Sequence, residues 1–127
     1  MRHRNHGIAS IAFFHRIPYE EVADVYRQCD ILLKTSLLES FSYPPLEMMA
    51  TGGFVVALYN DGNREYLNDG YNALIYEKGN IPQAVACIER LIQDEKLREH
   101  LYKNGCVCAQ NRDWDCINRH ILSLYGL

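Results

Sequence analysis

Glu39 and Glu47 are the residues whose type and spacing suggest chemistry, with seven residues between them and Pro44-Pro45 in the interval. A carboxylate accepts several hydrogen bonds through two oxygens, which suits the hydroxyls of a sugar or a ribose. Pro44-Pro45 fixes φ at helix-compatible values where missing N–H groups cost nothing, so a helix is expected to begin there. The first amides of a helix face outward with positive potential, so a phosphate or a sugar hydroxyl can dock beside them. A plainer account gives Glu47 only the first helical turn to stabilise, at about 0.3–1 kcal/mol, and leaves Glu39 as a solvated loop residue. The pattern alone leaves the two accounts level.

Other chemistry is weaker or missing. Cys106-x-Cys108 with Cys116 and His120 has thiolate and imidazole ligands that suit zinc, but the spacing is no established motif, and ordinary packing near a helix end is the better reading. His3, His6 and His15 read as surface residues, and Tyr26, Tyr66, Tyr76 and Tyr125 as core or element-end residues. Tyr43 is set apart because it lies between the glutamates. The chain has no Gly-x-Ser-x-Gly elbow, no glycine-rich dinucleotide fingerprint and no P-loop, which removes those enzyme classes.

The 127 residues suit one core. An apolar share of 48% and a charged share of 23% are those of a folded domain. A net charge of -3 offers no cationic excess for a nucleic-acid backbone. The longest apolar runs, such as Ile31 to Leu33 and Phe54 to Leu58, fall far short of the roughly 20 residues of a membrane span. Residues Met1 to Gly7 carry positive charge without the apolar core of a leader. Five irregularly spaced cysteines imply free thiols in a reducing, cytoplasmic setting.

The elements that must position the glutamates are read from periodicity. Gly7 to Phe14 reads as a buried strand before a turn, and Pro18 opens a helix marked by Val22, Val25, Tyr26 and Cys29. Asp30 to Lys34 reads as a central strand. The helix begun at Pro44 runs to about Thr51, and Gly52-Gly53 stops it. Phe54 to Leu58 reads as a strand covered on both faces. Arg64 to Leu67 forms at most one helical turn, and Ala73 to Tyr76 is the last strand. Ile81 to Gln93 places Val85, Ile88, Leu91 and Ile92 on one stripe, and Glu95 to Tyr102 and Trp114 to Tyr125 are two further helices. This β-α-β-α-β-(α)-β-α-α-α order implies an α/β fold, a parallel sheet with helices on both faces. Ligands of such sheets bind at the carboxyl ends of the strands, which directs attention to the loop after Lys34.

The segment Cys29-Asp30-Ile31-Leu32-Leu33-Lys34-Thr35-Ser36, followed by Glu39-Ser40-Phe41-Ser42-Tyr43-Pro44-Pro45-Leu46-Glu47-Met48-Met49-Ala50-Thr51-Gly52-Gly53, resembles the motif of retaining GT-B glycosyltransferases of the group 1 (family 4) type. The resemblance continues through Arg64 to Tyr76 and spans about residues 14 to 113. It implies a Rossmann-like three-layer α/β/α architecture, the larger part of the C-terminal, donor-binding half of a GT-B fold. Residues 1–127 would then be a single nucleotide-sugar-binding domain lacking its first β-α units, with a C-terminal helix over 113–127.

By the same resemblance Glu39 contacts the transferred sugar and is the catalytic candidate, and Glu47 contacts the ribose. Backbone amides of Ser40, Phe41, Ser42 and Tyr43 face sugar and diphosphate, and main-chain groups near Arg16 and Ile17 contact the base. The donor is a nucleotide diphosphate sugar, and neither a metal nor another cofactor is implied. Two departures stand out. The family usually has glycine where Ser40 and Ser42 stand, which lets the backbone approach the donor more closely. The catalytic His or Asp of the N-terminal domain, and the Arg and Lys that neutralise the leaving diphosphate, precede the matching segment and have no counterpart here. The implied partner is that N-terminal GT-B domain, the implied role polysaccharide biosynthesis, and the implied location the cytoplasm or, through a full-length enzyme, the inner face of a membrane. Little turnover is expected from the chain alone. The rival expectation is a non-catalytic module that keeps the fold for partner or regulatory binding, and exposed apolar surface raises self-association as a further one.

Overall fold

The computed structural model describes residues 12–126. Strands β1 (Ile31–Lys34), β2 (Phe54–Ala57) and β3 (Leu74–Ile75) form one parallel sheet in the order β1-β2-β3. Leu32 lies opposite Val55, Lys34 opposite Ala57, and Ala57 opposite Ile75. The short β-branched run of β2 lies in the middle of the sheet, and Val55, Val56 and Ala57 are buried, as expected of a strand covered on both faces.

Helices close both faces. Helix α1 (Tyr19–Arg27) precedes β1, α2 (Tyr43–Ala50) joins β1 to β2, and α3 (Ile81–Gln93), α4 (Glu95–Gln110) and α5 (Trp114–Leu124) come after β3. Side chains alternate along a strand, so the sheet feeds two clusters. Val55 and Ala57 pack with Leu46, Met48 and Met49 of α2 and with Tyr66 and Leu67 of the turns after β2. Val56 and Leu74 pack with Ala84, Cys87 and Leu91 of α3. Helix α4 serves both layers, placing Leu101 in the second cluster and Cys108 in the first. Helix α3 starts on a true cap, with Asn80 accepting from the Gln83 amide. Helix α5 is capped by Asp113 but buries no residue, and Trp114 is 69% exposed.

Several sequence expectations are corrected. Residues 12–14 form no strand and Phe13 and Phe14 are exposed, while residues 7–11 lie outside the described range. An extended segment becomes a strand only beside a partner, and β1 pairs with β2 alone among the described residues. For the same reason β1 is, among the described residues, an edge strand rather than a central one, with Leu33 44% exposed. The core stripe of α3 is Ala84, Cys87 and Leu91; Val85 and Ile92 face outward. Helix α4 runs on through Asn104-Gly105 to Gln110, so Cys106 lies inside it and Cys108 in its last turn. Gly105 is there for space: a Cβ on it would meet the Met49 side chain at 3.2 Å, so the missing side chain lets α2 and α4 approach. Residues 61–66 form consecutive turns, the Leu67 amide bonding to the Asn63 carbonyl as in a single helical turn. Tyr66 and Tyr76 are core residues, whereas Tyr125 at the end of α5 is exposed.

Candidate functional site

The parallel register puts Lys34, Ala57 and Ile75 at one level, so the loops leaving these three residues form the carboxyl edge of the sheet. The loop 35–42 leaves β1 there and returns as α2. It is held from below by the turn after β2. Asn60 donates through Nδ2 to the Ser36 carbonyl at 3.0 Å and accepts from the Gly62 amide, while Asn63 donates to the Leu58 carbonyl. The Ser42 amide donates to the Gly62 carbonyl at 2.9 Å. Gly62 itself is pressed against the loop: a Cβ there would lie 2.8 Å from the Glu39 carbonyl oxygen. From the far side, the Tyr66 hydroxyl donates to the Ser42 carbonyl, and the Tyr76 hydroxyl donates to the Lys34 carbonyl at 3.1 Å. Burial pushes both phenols above their ordinary pKa, so both remain donors.

Glu39 turns inward and forms an ion pair with Lys34. The strand alternation explains the meeting, since Lys34 shares the α2 face of β1 with Leu32. Lys34 also donates to the Ser36 hydroxyl at 2.5 Å. The lysine holds the Glu39 carboxyl below the usual range, helped by Ser42 and Ser36 and opposed by burial. The other carboxylate oxygen, Oε2, and the Ser42 hydroxyl are both buried and close enough for the serine to act on the carboxyl, though neither meets a partner in full hydrogen-bond geometry. Ser42 is the N-cap of α2, yet its side chain makes no capping bond. A capping oxygen takes the amide hydrogen of the second or third helical residue, and here those residues are Pro44 and Pro45, which have none.

Glu47 lies apart from this cluster. It is half-buried and lines a groove of about 350 Å3 between α1 and α2, with Tyr19, Ala23, Tyr26, Arg27 and Thr51. The Tyr26 phenol is pushed up to about 12 by burial and then by the Glu47 carboxylate beside it. The two glutamates thus flank the start of α2 in separate surroundings. Arg16 and Ile17 lie just before α1 and do not line that groove. Arg16 is exposed and sits at φ 52, the only non-glycine residue with positive φ among those described. Left-handed backbone costs a side-chain-bearing residue about 1–2 kcal/mol. Ser40 is exposed, and the Tyr43 ring, 54% exposed, packs edge-on against Phe41 at 4.8 Å. Ser42 is buried, with its amide engaged by the Gly62 carbonyl.

Lys34 is the site residue that motif reading passed over. Its position at the carboxyl end of a strand, five residues before the first glutamate, was the available signal. Cys108 is buried with its thiol on the Tyr66 carbonyl, and no group of three metal-ligating side chains converges among the described residues. All five cysteines are free thiols. No helix among the described residues is long and apolar enough to cross a membrane.

The sequence profile described as "Glycosyl transferases group 1" matches residues 2–124. The chain belongs to this family. Among related group 1 glycosyltransferases, it is 33% identical over 109 residues to an uncharacterized glycosyltransferase of Methanocaldococcus jannaschii, covering 86% of this chain and 31% of that protein. It is 29% identical over 130 residues to the N,N'-diacetylbacillosaminyl-diphospho-undecaprenol alpha-1,3-N-acetylgalactosaminyltransferase of Campylobacter jejuni, covering 98% of this chain and 35% of that one. The chain therefore spans about a third of the length of these two relatives. Among solved structures, the C-terminal domain of a glycosyl transferase group 1 family protein from Francisella tularensis superposes with a TM-score of 0.69 at 29% identity, over 80% of this chain and 51% of that one. HepE from Anabaena in complex with UDP-glucose superposes with a TM-score of 0.70 at 27% identity, over 81% and 29% of the two chains. The parallel sheet with its flanking helices belongs to the C-terminal half of a GT-B glycosyltransferase fold.

Proposed function

We propose that this glycosyltransferase domain binds a nucleotide diphosphate sugar along the carboxyl edge of its sheet, for retaining transfer to a saccharide or lipid acceptor. Glu39 takes the sugar, Glu47 the ribose, backbone amides of Ser40, Phe41 and Tyr43 the sugar and diphosphate, and the turn at Arg16 and Ile17 the base. The carrying observation is the pair of carboxylates flanking the start of α2 at the carboxyl edge of the sheet, Glu39 on the loop after β1 and Glu47 in the α1–α2 groove, because a carboxylate accepts several hydroxyl hydrogen bonds at once. The complex of the Anabaena relative with UDP-glucose supports the same choice of ligand class. Glu47, half-buried in the α1–α2 groove, has the two acceptor oxygens that a ribose diol needs.

Retaining transfer needs the leaving diphosphate stabilised while the acceptor hydroxyl attacks the same face of the sugar. The acceptor site and the catalytic His or Asp would come from an N-terminal GT-B domain, and with it the Arg and Lys on the diphosphate. Turnover is accordingly expected from the two domains together, in the cytoplasm or at the inner face of a membrane, and not from this chain by itself. Calorimetry with UDP-, GDP- and ADP-sugars tests the reading. Glu47→Ala should weaken binding of the preferred nucleotide about tenfold or more, the worth of a hydrogen bond to a charged group, with an unchanged circular dichroism spectrum. Absence of binding to every nucleotide, with the N-terminal domain supplied, would instead mark a non-catalytic partner-binding or regulatory module.

A further inference from the structure

The chain between β1 and α2 is tied at its two ends. The Ser36 carbonyl accepts from Asn60 at 3.0 Å, and the Ser42 main chain is held by the Gly62 carbonyl and the Tyr66 hydroxyl. Between these anchors, residues 37–41 make no main-chain hydrogen bond among the described residues, and Leu37 and Leu38 are 48% and 87% exposed. Apart from the close fit of Gly62 beneath it, the stretch is fixed by two side chains. Phe41 packs on Tyr43 and Tyr66, and Glu39 pairs with Lys34. Missing main-chain bonds and few buried contacts mark a segment of low local stability.

The ion pair also takes Glu39 out of reach. Only 12% of the Lys34 side chain and 22% of the Glu39 side chain are exposed. Oε1 accepts from Nζ, which also donates to the Ser36 hydroxyl, and Oε2 has essentially no accessible surface. Neither the α1–α2 groove nor the groove along the β1 edge is lined by Lys34, Glu39 or Ser42. A sugar hydroxyl therefore cannot meet the carboxylate where it now stands. The inward state is itself incompletely satisfied, since Oε2 and the Ser42 hydroxyl lack a partner in full geometry. The desolvation of two charges further offsets their attraction. What keeps Glu39 inside is the lysine.

We propose that the Lys34–Glu39 ion pair is an autoinhibitory latch: it keeps Glu39 turned into the protein, and a donor engages this carboxylate only after Glu39 has left Lys34 and residues 37–41 have moved outward with it. This rests on the donor-binding reading of the site and adds a closed state to it. A site whose competent form is a minor population binds more weakly by that fraction. The latch thus lowers affinity for a sugar nucleotide and leaves the bare diphosphate, which presents no sugar to Glu39, unaffected. Without the ammonium, a carboxylate buried with no counter-charge is strongly unfavourable, so the outward form gains.

The test combines amide hydrogen exchange of the ligand-free chain with calorimetry against UDP, UDP-glucose, GDP and GDP-mannose. It compares the wild type, Lys34→Met, and Lys34→Met combined with Glu39→Ala. In Lys34→Met, exchange at residues 37–41 should quicken about tenfold or more while β2 and α3 keep their wild-type rates. Its preference for the sugar nucleotide over the bare diphosphate should rise about fivefold or more, and the gain should vanish when Glu39→Ala is added. Lys34→Gln, neutral and shorter, should shift both readouts the same way and replaces Lys34→Met if that variant does not fold. A preference that is unchanged or lowered in the lysine variants overturns the latch, and so does a gain that survives the loss of Glu39. Unchanged exchange at residues 37–41 overturns it as well. Failure of the donor-binding reading looks different: exchange quickens at residues 37–41 but no protein binds any of the four nucleotides, and the latch loses its role with that reading.

Discussion

Replacing Gly62 by alanine tests whether the loop that carries Glu39 and Ser42 is built against the turn after β2. The added Cβ would lie 2.8 Å from the Glu39 carbonyl oxygen and 3.0 Å from the Phe41 N and Cα atoms. All three are backbone atoms, so no rotamer change relieves the contact, and the loop or the turn must move by several tenths of an ångström. Such overpacking costs about 1–3 kcal/mol. The usual effect of Gly→Ala at a permissive site has the opposite sign, a gain of about 0.4–1 kcal/mol from a less flexible unfolded chain. Gly62 is not among the positive-φ glycines, so the loss expected here is purely steric. At about 4 °C per kcal/mol for a chain of this size, Tm should drop by about 4–12 °C by circular dichroism. UDP-glucose affinity should fall at least tenfold as Glu39 and Ser42 move with the loop. Asp61→Ala, at the exposed neighbour, is the control and should change neither. An unchanged or raised Tm for Gly62→Ala would refute the packing argument.

The same contacts lead to two further outcomes. Tyr66→Phe keeps the ring in the core but strands the buried Ser42 carbonyl that the phenol serves, so urea unfolding should show a loss of about 1–3 kcal/mol; a loss under ~0.5 kcal/mol would mean the hydroxyl is dispensable. The exposed apolar strip beside the β1 edge, where Leu33, Leu37, Leu58, Tyr76, Ile81 and Val85 line a groove of about 440 Å3, should make the chain self-associate when purified alone. Light scattering from about 5 to 200 µM should show rising mass, and a constant monomer mass would count against it.

The elements with purely local causes were legible in the sequence. The Gly52-Gly53 stop, the β-branched run of β2 and the proline start of α2 depend on the chain's own stereochemistry. What depends on a neighbour was not legible. Residues 12–14 end a run with the composition of a strand yet pair with none among the described residues, and the same composition at Ile31 to Lys34 does not say whether the sheet continues past β1. Gly105 reads as a stop until Met49 is known to pack against it. At the site, the spacing of Glu39 and Glu47 was visible, whereas their separate surroundings were not. The part played by Lys34 required the strand alternation and the return of the 35–42 loop together, and a linear motif records neither.

The sequence contains one tryptophan, Trp114, and it stands on α5, a helix with no buried residue. An indole already wetted in the native state will emit much as it does in the denatured one, so intrinsic fluorescence excited at the red edge is nearly blind to melting of the sheet. The informative chromophores are the phenols of Tyr66 and Tyr76, which leave the interior only when it comes apart, and near-ultraviolet ellipticity is the signal through which this domain will report its own integrity.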